Sequence, residues 1–119
     1  MVLKSTIRKN IINTLKLISS FQKQIEYQEN VPVAQVPAEL FCQWFDDFYL
    51  PEDKTFQETF SKDELVALKE FSSFFDSKGK NLPDTHYVKV WHKIEEWILI
   101  SKKAEETLDS IRRDRNNDI

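Results

Sequence analysis

The residues able to do chemistry are few: two histidines, His86 and His92, one cysteine, Cys42, and the acid pairs Asp46-Asp47 and Glu95-Glu96. His92-Lys-Ile-Glu95-Glu96 sets an imidazole one helical turn before two carboxylates, the ingredients of a carboxylate metal bundle. Those bundles carry Glu-x-x-His in two copies, whereas this chain has a single copy in the opposite order. A solvated polar helix face accounts for the run. Asp46 and Asp47 suggest a metal or acid/base pair, yet neighbouring helix positions diverge by about 100°, so they cannot hold one ion without a third element. Cys42 falls beside an aromatic stripe, where a small buried hydrophobe is expected rather than a reactive thiolate. Neither histidine belongs to a zinc or nucleophile motif. With one glycine, Gly79, the chain has no glycine-rich loop to wrap a phosphate. The expectation is a protein that is not an enzyme and uses neither cofactor nor metal.

The elements that must position these residues are helices. All four prolines, Pro32, Pro37, Pro51 and Pro83, and Gly79 fall between stretches whose apolar residues recur every three or four positions. That pattern predicts an all-α fold, a single-domain bundle of about four helices with long first and last members. One domain suits 119 residues, 40% of them hydrophobic, near the common domain size of roughly 100–150. The first helix is expected from about Leu3 to Glu29, with Ile7, Ile11, Ile18 and Ile25 stacked and Leu15 and Phe21 widening the stripe. Val31 to Pro37 cannot continue it, because residues before proline avoid the α region, and its valines are expected to lie extended over the core.

A second helix starts near Pro37, carries Phe41, Trp44, Phe45, Phe48 and Tyr49 on one side, and stops at Pro51. Glu39, Gln43 and Asp46 form the opposite stripe, with Asp47 on its flank. Ser61-Lys-Asp-Glu64 has the pattern of a capping box and opens a third helix. Leu65, Leu68, Phe71 and Phe75 face inward from it, and it is expected to end before Lys78-Gly-Lys80, where Gly79 can take a left-handed conformation. Asp84 is expected to cap a last helix whose inward face runs Tyr87, Trp91, Ile94, Ile98, Ser101, Ala104, Leu108 and Ile111. At 1.5 Å per residue that helix would reach roughly 40–45 Å. Trp91 belongs to the core, whereas Trp44 and Trp97 lie nearer the edges of their faces, so one of them is a candidate for exposure beside Asp47. Residues 112–119 are expected to form a disordered tail.

The charge map says more than the net charge of −3. Residues 1–25 hold Lys4, Arg8, Lys9, Lys16 and Lys23 with no acid, whereas residues 39–76 hold ten acids against three lysines, a net of −7. One explanation is that the basic helix and the acidic middle face one another or are simply solvated. The sharper one is an acidic docking surface on the second helix and the Pro51–Phe60 connection, which attracts a basic protein and repels nucleic acid. The basic first helix could instead lie on an anionic membrane, bind nucleic acid or serve as a transit sequence, but one arginine in 25 residues argues for a core helix with solvated lysines.

No apolar stretch is long enough to form a transmembrane segment, and a lone cysteine suits a reducing compartment, so the cytoplasm is the expected location. The run Phe41-Cys-Gln-Trp-Phe-Asp-Asp-Phe-Tyr-Leu-Pro51, followed by Phe60-Ser61-Lys-Asp-Glu64 and a later Trp91, resembles small α-helical bacterial immunity proteins of toxin–immunity systems, including contact-dependent inhibition. The resemblance covers residues 38 to 98 and rests on the acid-aromatic middle third. It implies a cytoplasmic protein that binds and blocks a cognate toxin, often a basic nuclease. The expected function is therefore a non-enzymatic protein-binding module, an immunity-type inhibitor whose acidic surface covers a basic active site. Its partner-binding residues are expected to be Asp46, Asp47, Glu52 and Asp53, flanked by Trp44 and Tyr49. The competing expectation is a homodimer or larger homo-oligomeric scaffold in which the long first and last helices pair between chains.

Overall fold

The apolar stripe that begins at Ile7 runs straight only as far as Ser19. In a computed structural model, which describes residues 3–117 and the side chains of residues 3–112, the described chain forms seven α-helical segments and one π-helical turn. The all-α expectation holds, and the count of about four helices is corrected: two expected helices are each broken in two, and a short helix appears in a connection.

The first break divides α1, Lys4–Ser19, from α2, Phe21–Asn30. Ser20 adopts an extended conformation, and its side chain accepts the N–H of Lys23 as the cap of α2. The carbonyls of Leu17 and Ile18 at the end of α1 both accept from Nε2 of Gln24. A single glutamine thus satisfies the broken end, which is why no proline or glycine is needed there.

After α2 the chain turns outward rather than lying over the core: Val33 is 93% exposed, and of the three valines only Val36 is buried, inside α3. α3, Val36–Cys42, takes Pro37 into its first turn, as expected. It then widens into a π-helical turn, Gln43–Phe48, marked by the N–H of Tyr49 on the carbonyl of Trp44 five residues back. α4, Lys54–Thr59, occupies what was read as a connection, and α5, Lys62–Gly79, follows Phe60 and Ser61. The capping box is present in full, with Ser61 Oγ accepting from Glu64 N and the Glu64 carboxylate accepting from Ser61 N.

Gly79 ends α5 without a left-handed conformation. Its smallness serves packing instead: a Cβ there would stand 2.7 Å from Cζ of Phe41, whose ring lies between Phe75 and Trp91.

The last expected helix is likewise two, α6, Val88–Trp91, and α7, Glu95–Asn117. Asp84 does not cap; Thr85 Oγ1 takes the N–H of Tyr87, and Oε1 of Gln28 takes that of Val88. α7 buries Ser101, Ala104, Leu108 and Ile111 as expected, but the turn at His92–Ile94 shifts its start, so Trp97 and Ile100 are buried there while Ile98 is 44% exposed and Tyr87 65% exposed. α7 continues through Asn117 into the segment expected as a tail, and residues 118 and 119 lie outside the described residues.

α7 packs between α1 and α5. Arg8 joins Glu64 at the start of α5 to the carbonyl of Ile111, and Phe75 meets Trp97 at the other end, so α5 and α7 run antiparallel. The stripes of α1 and α7, which a homo-oligomer of paired long helices would need uncovered, are buried within one chain. Each buried Ile, Leu or Phe contributes about 1.5–3 kcal/mol relative to exposure, and this shared core fixes the π turn and α4 at its edge.

Candidate functional site

The expected partner-binding residues lie on the π turn and its exit to α4. Five aromatics anchor that segment inward. Trp44 is fully buried, donates from Nε1 to Ser72 Oγ on α5 at 3.2 Å, stacks on Tyr49 at 5.0 Å and meets the edge of Phe71. Trp44 is therefore a core residue and not a surface anchor, because its ring is spent on tying the π turn to α5; Trp97 is fully buried too. Tyr49 is half-buried between Trp44 and Phe56. Burial first, and then the Glu52 carboxylate, push its hydroxyl above the usual tyrosine range.

With the aromatics inward, the carboxylates face water: Asp46, Asp47, Glu52 and Asp53 are all exposed. They do not have the same role. Asp53 is also the N-cap of α4, its Oδ1 accepting from Phe56 N at 2.9 Å, a local role not expected from the sequence. Asp46 stands beside Cys42, which is exposed, contrary to the expected burial. Partial desolvation, then Asp46, Glu39 and Asp47, push the Cys42 thiol upward, which disfavours the thiolate needed for nucleophilic chemistry.

Asp47 and Asp53 come together in a cleft of about 470 Å³ between the N-terminal half of α1 and the π turn. Ile7, Phe48 and Leu50 supply its apolar wall, and Asn10 and Thr55 add polar groups. Leu50 is 44% exposed there. Nothing in the periodicity singled out the cleft, because it depends on how α1 packs beside the exit of the π turn.

The basic helix does face the acidic middle, in part. Arg8 holds Glu64 bidentately, Nη1 to Oε1 at 3.0 Å and Nη2 to Oε2 at 2.6 Å, with both side chains largely buried. Lys4 pairs with Glu58 at 3.5 Å on the surface. Among the described residues neither Asp47 nor Asp53 takes part in an ion pair of 4.0 Å or less, and the same is true of Asp46 and Glu52. Two of the four cations of α1, Lys4 and Arg8, are thus spent on α4 and α5, and among the described residues neither Lys9 nor Lys16 pairs with the acids of the π turn.

His92 sits in a different place and does a different job. Its ring stacks flat on Phe21 at 4.0 Å, and Nε2 lies 2.8 Å from Oε1 of Gln24. The Gln24 amide donates to two carbonyls, so its oxygen is the acceptor and His92 Nε2 must carry the hydrogen. Burial, then Lys89, hold His92 below its ordinary value of 6.5. Its partners are structural, and among the described residues no three of His, Cys, Asp or Glu gather where a metal ion could be held. No described helix is long and apolar enough to cross a membrane. No known family matches the chain, and neither a curated protein nor a solved structure matches it.

Proposed function

We propose that this protein is a non-enzymatic binding module whose acidic edge, at the π turn and the start of α4, docks a basic protein. The observation that carries this reading is that Asp46, Asp47, Glu52 and Asp53 are exposed and, among the described residues, without ionic partners although a basic helix packs alongside. Unpaired carboxylates on a rigid segment steer a cationic partner inward and favour its association. The most specific form of the proposal is an immunity-type inhibitor that covers the basic active site of a cognate toxin in the cytoplasm. The acid-aromatic run from Phe41 to Pro51 is what supports that form.

The test is capture from the native organism with wild type and an Asp46→Lys/Asp47→Lys/Glu52→Lys variant, both shown to be equally helical. A basic partner retained by wild type, released by salt and lost by the variant is the expected result. Equal capture by both proteins, or binding indifferent to salt, removes the acidic-edge reading.

A further inference from the structure

The cleft beneath the acidic edge has a shape and chemistry that narrow what can enter it. Its wall combines apolar surface, from Ile7, Phe48 and Leu50, with the two carboxylates Asp47 and Asp53. Apolar surface next to unneutralised negative charge selects a side chain that is itself apolar along its stem and cationic at its head. Lys4 is on Glu58 and Arg8 is on Glu64, and among the described residues neither Lys9 nor Lys54 lines the cleft or pairs with Asp47 or Asp53. Among the described residues Asp53 gives one oxygen to Phe56 N and takes no further hydrogen bond, while Asp47 makes no ion pair.

We infer that this cleft receives one arginine side chain of the basic partner, with its methylenes on Ile7 and Leu50 and its guanidinium against Asp47 and Asp53. Arginine fits better than lysine because its planar fork addresses two carboxylates at once, stacks on an aromatic face, Phe48 supplying a ring in the lining, and is less costly to dehydrate. The inference rests on the acidic-edge reading and deepens it by naming the anchor. An anchoring arginine in a partly desolvated pocket is a usual hot spot of an interface, where its loss is felt more than that of rim contacts.

The probe is a capped Gly-Arg-Gly peptide, compared with its lysine and citrulline counterparts, titrated into the isotope-labelled protein and followed through backbone amide shifts. The expected result is a millimolar interaction centred on Asn10, Leu50 and Thr55, at least fivefold weaker for lysine and lost for neutral citrulline. Asp47→Asn/Asp53→Asn should weaken it at least tenfold while the fold persists, because asparagine caps a helix as well as aspartate. Equal binding of the arginine and citrulline peptides, or no shifts at tens of millimolar peptide, overturns the inference. A captured basic partner that survives Asp47→Asn/Asp53→Asn but not Asp46→Lys/Glu52→Lys overturns the cleft alone and leaves the acidic edge standing.

Discussion

Glu64 and Asp47 are both carboxylates within reach of α1, and the molecule treats them in opposite ways. Glu64 is 4% exposed, accepts from both Nη atoms of Arg8 and from Ser61 N, and so links α1 to the start of α5. Asp47 is exposed and, among the described residues, caps nothing and pairs with no cation. Burying a charge is tolerable only when its partners are complete, whereas a charge at the edge needs none because water serves it. The interior carboxylate therefore belongs to the fold, and the edge carboxylate is free to belong to another molecule.

The sharpest way to break the contrast is Glu64→Ala, which strips half the capping box and leaves Arg8 largely buried without its counter-ion. A loss of about 3–5 kcal/mol is expected, read by denaturant unfolding. Next comes Gln24→Leu, which removes the acceptor of Trp97 Nε1 and His92 and the donor for two α1 carbonyls. It should cost about 2–4 kcal/mol, with the Ser20 corner exchanging amide hydrogens fastest. Asp53→Ala separates the two roles of that residue: about 1 kcal/mol is lost with the cap, while Asp53→Asn and Asp47→Asn should each stay within about 0.5 kcal/mol of wild type. The gentlest effect is one of pH. His92 is held below 6.5 in the folded state, so the unfolded chain binds more protons and stability declines as pH falls from 6.5 toward the lowered folded value. Thermal midpoints between pH 8 and 5 should show that decline, and His92→Gln should flatten it; a decline unchanged in the variant assigns it to other groups.

Local signatures were legible in the residues, and tertiary ones were not. Ser61 and Glu64 announced a helix start because each satisfies a backbone donor only three residues away. The five aromatics announced an inward face because spacing alone places them together. The corner at Ser20 was hidden, since the apolar period runs through it and its satisfying group, Gln24, lies in the next helix. On α7 the expected inward residues Ser101, Ala104, Leu108 and Ile111 are buried, and only its first turn was misplaced, with Trp97 buried in place of Ile98, because the turn at His92–Ile94 interrupts the helix without a proline or glycine. Trp44 and Gly79 were read as surface and turn residues, but Ser72 and Phe41, distant in sequence, decide both. At the candidate site, exposure of Asp46 and Asp47 followed from the polar stripe and that of Glu52 and Asp53 from the acidic connection after Pro51, while the cleft beneath them required knowing where α1 lies.

The guanidinium of Arg8 reaches a carbonyl 103 residues further along the chain. During synthesis at about 5–20 residues per second, α1 would wait roughly 5–20 s for α7, against which its stripe is buried. Over that interval Ile11, Leu15 and Ile18 lack the cover that α7 gives them. The newborn chain must therefore pass through a stage in which a basic, greasy helix is displayed beside a half-made acidic edge, and its safe arrival depends on whatever shields that helix until α7 emerges.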